Sequence, residues 1–190
     1  PLRSFRHLRH DRFFSATLVY WMLMGFGVLM MLPFRVEYLA NPAHGRAYRE
    51  EDIALLVTIL PNAGRIVGNP LWGAVWNRLD LFQLRLLIDT LFILGILGFF
   101  GSSSWTVLAF SSLLLGVSNA GAEISWTLWV TKFAPDRLVA EYMGVHLFFT
   151  GLRALAAPLL TFQLAERLSV HTLMWVSVGL IAVANLAVLR

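Results

Sequence analysis

TGLRALAAPLL, Thr150 to Leu160, places Arg153 in the middle of an apolar run, with Pro158 five residues after it. AGRIVGNPLW, Ala63 to Trp72, does the same with Arg65 and Pro70. The two arginines are 88 residues apart, and so are the two prolines. Leu71 and Leu159 follow the prolines, Gly64 and Gly151 stand just ahead of the arginines, and Asp52 and Glu141 open the two segments. An arginine at the centre of a bilayer costs at least ~2.5–3.5 kcal/mol, so it faces a bundle interior or a wet cavity. A proline there frees a carbonyl, which neighbours or water must satisfy. Two such placements at one spacing read as two copies of one unit.

The rest of the chain fits a membrane setting. Of its 190 residues 58% are hydrophobic and 14% charged, with a mean hydropathy of +0.69. Soluble domains carry roughly a quarter charged residues. Phe13 to Phe34 and Leu168 to Leu189 are each 22 residues without a charge, and Thr90 to Ala122 is 33, interrupted by GSSS at 101–104. A bilayer core is crossed by about 20 apolar helical residues. Hydropathy and chain breakers predict helices over about 13–34, 53–77, 86–100, 105–131, 141–162 and 168–189, taking the turn residues Asn41, Pro42 and Gly45 as part of the longest connection. The expected fold is all-α: a polytopic membrane protein with six transmembrane helices. The organisation is a basic segment over 1–12, a first three-helix unit over 13–100 and a second over 101–190.

Cytoplasmic loops carry the excess of Lys and Arg. With the N-terminus inside, Arg3, Arg6, Arg9, Arg12, Arg78, Arg85, Lys132, Arg137 and Arg190 flank the inner ends, and Arg35, Arg46, Arg49 and Arg167 the outer ones. Both termini are therefore expected in the cytoplasm. Arg3, Arg6, Arg9 and Arg12 recur every third residue, which suits either anionic headgroups or an ordinary positive flank. Three helices per unit is odd, so the second copy enters the membrane upside down, the inverted repeat common in secondary transporters. Lys132 is the only lysine, as in proteins of GC-rich bacterial genomes, and a bacterial inner (plasma) membrane is the expected location. The chain begins at Pro1 without a signal-peptide cleavage pattern, as a piece of a longer protein would. The net charge of +4 implies no nucleic-acid partner, because the basic residues sit largely at helix ends. The expected partners are the lipid bilayer and a small solute.

Polar residues form stripes on three apolar helices. Thr58, Asn62, Arg65 and Asn69 share one face of the second, His146, Thr150 and Arg153 one face of the fifth, and Ser112, Asn119 and Glu123 one face of the fourth. The third and sixth helices are the most uniformly apolar and are expected to face lipid. The first, second, fourth and fifth then line the interior, with Thr17, Tyr20 and Trp21 from the first.

GNPLWGAVWNRLDLFQLR, Gly68 to Arg85, resembles the loop motif of the major facilitator superfamily, in which a glycine is followed by Asp-Arg and a basic cluster. Gly73 and Arg78 match. Asn77 stands at the Asp position, and Asp80 and Leu81–Phe82 replace the following glycine and basic pair. APDRLVAEYMGVHLFFTGLRALAAPLL, Ala134 to Leu160, is similar to that family's entry into its eleventh helix. The resemblance implies half of a twelve-helix facilitator fold, most naturally the C-terminal half, with the third helix of each unit peripheral. It also implies alternating access, with the solute bound between this chain and a second six-helix half, in the same polypeptide or a dimer partner.

The candidate solute-binding residues are Arg153, Glu123, Arg65, Asn62, Asn119, Tyr20, Trp21 and His146. A guanidinium is a fork of donors suited to carboxylate or phosphate. Arg65 and Arg153 fit either that role or an internal ion pair with Glu123 that only holds helices together. Two arginines against one glutamate favour an anionic or zwitterionic solute. Glu123 is a candidate proton carrier, and His146 either titrates near neutral pH or packs as a lone polar residue. The loop residues Gly73, Asn77, Arg78, Arg85 and Asp89 form a second group, in which Asp89 pairs with Arg85 or Arg78 at the cytoplasmic surface. Trp72, Trp76, Trp126 and Trp129 read as interfacial anchors. No cysteine, nucleotide loop or metal spacing occurs, so no cofactor, metal or enzymatic constellation is expected. Two functions fit: half of a secondary transporter, with proton coupling as an option, or a non-transporting scaffold or assembly subunit on the same fold.

Overall fold

The computed structural model of the protein describes residues 2–188. Arg190, counted above among the flanking cations, lies outside them, as does the side chain of Arg3. Six helices dominate: α1 (Arg12–Met31), α2 (Leu60–Trp76), α3 (Leu81–Gly101), α4 (Trp105–Leu128), α5 (Asp136–Ala165) and α6 (Val170–Val188). No strand occurs among the described residues.

Four helical stretches are long and apolar enough to cross a membrane: Arg12–Ala40, Leu81–Gly101, Trp105–Lys132 and Asp136–Ala165. The other two expected spans fall short of that standard. α2 is diluted by Asn62, Arg65 and Asn69, and the apolar stretch of α6, Val170–Leu186, is shorter. α3 begins at Leu81 and α5 at Asp136, each about five residues earlier than hydropathy suggests. Polar caps and charged first turns are helical but invisible to an apolarity criterion. Asp80 caps α3: its Oδ1 accepts from the backbone N–H of Phe82 and Gln83, both at 2.8 Å, and Gln83 Oε1 accepts from the Asp80 N–H. The residue that departs from the facilitator motif is thus the start signal of α3. Asp11 does the same for α1 through Phe14 N–H at 2.9 Å.

α2 continues an irregular leader. Glu50–Ala54 is α-helical, Leu55–Ile59 a π-turn, and Pro61 follows. A proline inside a helix lacks an N–H and crowds the carbonyl four residues before it, so the wider turn makes room. Pro70 and Pro158 lie within continuous α2 and α5.

α1 packs on α5 and α6, α4 packs on α2 and α3, and α3 packs on α6. Glycines let two of these contacts close. A Cβ at Gly64 would strike the Leu113 carbonyl, and one at Gly116 the Pro61 carbonyl, so α2 and α4 touch backbone to backbone. Gly27 brings α1 against α6, where Ser177 Oγ donates to the Gly27 carbonyl at 2.7 Å. The core between them holds Phe14, Trp21, Phe34, Phe92, Phe99 and Trp129.

The most exposed helices are α2 and α5, not the third and sixth as their uniform apolarity suggests. Only 22% of the most apolar window of α5 is buried, against 50% for α3. Ile66, Val67 and Leu71 of α2, and Leu147, Phe148, Leu152, Leu155 and Leu159 of α5, project outward. The reason is packing: α3 and α6 each pack mainly on two long helices, whereas α2 and α5 flank the bundle and pack mainly on one each. Of the tryptophans read as anchors, Trp129 is fully buried, and Trp72 is buried with its Nε1 donating to the Val117 carbonyl at 2.8 Å. They fill the core rather than mark an interface.

Candidate functional site

Arg153 leans from the middle of α5 across α1. Its Nη1 donates to the Trp21 carbonyl at 2.6 Å, and its guanidinium occupies the space that a Cβ on Gly25 would take. The Arg153 Nε is buried without a hydrogen-bond partner. Arg65, from α2, donates through Nη2 to Glu123 Oε2 of α4. Both side chains of that pair are about half exposed. These groups border one cleft of about 330 Å³, whose walls include Trp21, Met24, Phe92, Asn119 and Trp126. Small-ligand sites are concave and mostly apolar with a few placed polar groups, and typically span roughly 300–1,000 Å³. The cleft is of that kind. Its charged lining is two guanidinium groups and one carboxylate, a net positive wall.

Of the residues singled out from sequence, Arg153, Glu123, Arg65, Asn119 and Trp21 come together here. The side chain of Asn119 also donates back to the Leu115 carbonyl at 2.8 Å. Asn62, Tyr20 and His146 are not among the lining. Asn62 is exposed on α2 and donates to the Thr58 carbonyl of its own helix at 2.9 Å. Tyr20 turns away from the cleft toward Arg85, whose guanidinium lies 5.8 Å from its ring. His146 is fully buried among the rings of Trp21, Trp126 and Trp129, at 6.3, 5.7 and 5.5 Å, with neither ring nitrogen hydrogen-bonded. The helical period put His146 on the Arg153 face, but about two turns of helix nearer the α4 end it meets the Trp cluster instead.

Eight lining residues were not singled out as site residues, Gly25, Trp126 and Phe92 among them. Gly25 reads as an ordinary membrane-helix glycine, although the Gly25-Phe26-Gly27 spacing marks a helix that two neighbours approach. Trp126 was read as an anchor; its Nε1 donates to Thr150 Oγ1 at 3.4 Å beside the cleft. Phe92 lies in the uncharged run of α3.

The loop residues separate into two environments. Gly73, Asn77 and Arg78 are exposed, and Arg78 has no ion-pair partner among the described residues. The α2 end is instead held by Lys132, whose Nζ donates to the carbonyls of Trp76 at 3.0 Å and Leu79 at 3.2 Å and lies 4.4 Å from the Trp76 ring. A cation at a helix C-terminus suits its partial negative charge. Arg85 and Asp89 face each other with Nε to Oδ2 at 3.6 Å, but both are buried, so the expected surface location is wrong. α3 tucks this edge against α1, which covers Arg85 with Trp21 at 5.1 Å.

No three His, Asp or Glu side chains gather as a metal set among the described residues. No family model matches the chain, and no curated protein matches it.

Proposed function

We propose that the chain is a six-helix half of a facilitator-type secondary transporter, built as two inverted three-helix units, that moves small anionic or zwitterionic solutes by alternating access. The observation that carries this reading is the cleft: two arginines from the two proline-bearing helices, with Glu123 and two tryptophans, on an otherwise apolar bundle. Buried ionisable groups between membrane helices mark solute or ion paths.

The packing pattern supports the repeat. Exchanging α1 with α4, α2 with α5 and α3 with α6 leaves it unchanged: α2 on α4 becomes α5 on α1, α3 on α4 becomes α6 on α1, and α3 on α6 maps to itself. Arg65 and Arg153 then occupy matching places and meet the cleft from opposite flanks. α2 and α6 complete six crossings, with Arg65 of α2 reaching the cleft rather than lipid. The excess of Lys and Arg at the helix ends that share a side with the N-terminus favours both termini in the cytoplasm. The exposed apolar faces of α2 and α5 leave room for a second half to complete the solute site.

The departures at Asn77, Asp80 and Leu81–Phe82, with Arg78 left free in the loop, favour the second reading, a scaffold subunit. Reconstitution separates the two. Counterflow of a panel of labelled small carboxylates and amino acids into proteoliposomes is expected to show saturable uptake that Arg153→Ala and Glu123→Gln abolish or sharply reduce. Saturable uptake that neither substitution changes would remove the cleft as the solute site. Absence of uptake for every solute would favour the scaffold.

A further inference from the structure

Arg85 and Asp89 are almost completely buried in the bundle, at 1% and 0% exposure. Their closest approach, 3.6 Å, is too long for a hydrogen bond. Among the described residues, none of the three guanidinium nitrogens and neither carboxylate oxygen has a hydrogen-bond partner. The guanidinium rests instead against the rings of Trp21 and Tyr20, at 5.1 and 5.8 Å. Desolvating two charges costs several kcal/mol per ion, and Coulomb attraction offsets this only with good geometry and further hydrogen bonds. This pair has neither. An arginine does not give up its proton in a protein. A carboxylate can take one, so the change of charge open to the pair runs through Asp89, and it leaves Arg85 without a counter-charge and driven to move.

Trp21 joins this pair to the cleft. Its ring carries Arg85 and its backbone carbonyl holds Arg153. We propose that Asp89 is a proton-binding site, and that its loading frees Arg85 to shift on the Trp21 ring and thereby resets Arg153 in the cleft. In the step, hydronium gives a proton to the Asp89 carboxylate and becomes water, and the buried pair goes from neutral to a net charge of +1. The other groups acting on the pair are Tyr20 from α1 and Arg153 from α5. α6 carries no charged residue over Val170–Val188, and the only charged residue of α4, Glu123, is engaged with Arg65. Glu123, open to the cleft and ion-paired, is thereby the solute-side carboxylate, and Asp89 the proton-side one. The transport consequence rests on the facilitator reading; the proton site itself does not.

Infrared difference spectroscopy across pH, on the purified protein in lipid nanodiscs, tests the site without a solute. The expected result is a protonated-carboxyl C=O band that moves when the protein is grown with carboxyl-13C aspartate and is lost in Asp89→Asn. Isotope editing needs no variant, and Asp89→Glu, which keeps a carboxyl, should retain a band at a changed frequency. Arg85→Gln should let the band appear at higher pH, because the cation favouring the ionised form is gone. Phenylglyoxal labelling of Arg153, read by peptide mass spectrometry, should step with the band in the wild type and lose that step in Asp89→Asn. A band insensitive to the aspartate label, or one persisting unchanged in Asp89→Asn, overturns the proton site and leaves the transport reading standing. A band with the expected behaviour but no flux of any solute upholds the proton site and removes the transport reading instead.

Discussion

Arg153 Nη1 donates to the carbonyl of Trp21 at 2.6 Å, across a gap that exists because residue 25 has no side chain. A guanidinium from one helix is thereby fixed on the backbone of another. The Gly25→Ala methyl would fall on the guanidinium itself, so Arg153 must leave the carbonyl or α1 and α5 must part. Solute uptake in Gly25→Ala is expected to fall to the level of Arg153→Ala. The double variant should be no worse than Arg153→Ala alone, because the two changes act through one contact. Full additivity would show that Gly25 matters for another reason.

The Arg65–Glu123 pair is set apart by its exposure, with side chains 42% and 58% accessible. Exposed ion pairs contribute about 0.2–1 kcal/mol in double-mutant cycles. Arg65→Gln and Glu123→Gln should therefore barely change the unfolding midpoint of the protein in mixed micelles, while both change solute binding. A coupling above about 2 kcal/mol, well outside that range, would mean that the pair holds α2 to α4 and is not primarily part of a binding wall.

How much of this was legible in the sequence follows from what each signal measures. The 88-residue spacing of Arg65–Pro70 and Arg153–Pro158 located both cleft arginines, because an ionisable residue in an apolar run has few places to go. Helical period then gathered Glu123 and Asn119 correctly. It failed for His146 and Asn62, since a stripe fixes a face but not the depth at which a neighbour meets it. Asp89 was placed at the surface by its distance from the helix start; the capping box at Asp80 moved that start outward, and α1 covers the first turns of α3. Apolarity predicted that α3 and α6 face outward, yet apolar residues suit a helix core as well as lipid. Gly25 and Gly116 gave no sign of their roles, because a glycine's value lies in the atoms that approach it.

The α2–α4 contact is the tightest in the bundle. Gly64 meets the Leu113 carbonyl and Gly116 the Pro61 carbonyl, both backbone atoms that cannot rotate away. Gly64→Ala and Gly116→Ala should each destabilise by about 1–3 kcal/mol, the usual range for overpacking. Gly144 and Gly151 on α5 have nothing near the position of an added Cβ. Alanine at either should be neutral or slightly stabilising, since glycine is the poorer helix former by roughly 1 kcal/mol. Denaturation in graded detergent mixtures, followed by circular dichroism, measures all four, and equal effects at the two pairs would contradict the close approach.

The segment before α1 is fastened to the start of α5 by side chains far apart in sequence. His7 Nε2 lies 2.7 Å from Glu141 Oε2, and the Tyr142 hydroxyl donates to Asp11 Oδ2 at 2.8 Å. Phe5 adds edge contacts with Phe148 and Phe149 at 5.2 and 6.2 Å. Trypsin can cut after Arg6 or Arg9 only when this segment lifts from α5, because a protease needs an extended, accessible backbone. When lifting is fast relative to cleavage, the cut rate follows the population of the lifted form. Glu141→Ala removes the His7 contact of a solvent-exposed carboxylate and should speed cleavage there by up to roughly five-fold. Tyr142→Phe removes only the Asp11 contact and should act less. Glu166→Ala, an exposed carboxylate at the far end of α5, serves as the control and should leave the rate unchanged. Equal rates in the wild type and Glu141→Ala would mean that the aromatic contacts of Phe5, not the His7–Glu141 pair, hold the segment down, and Phe5→Ala should then be the variant that frees it.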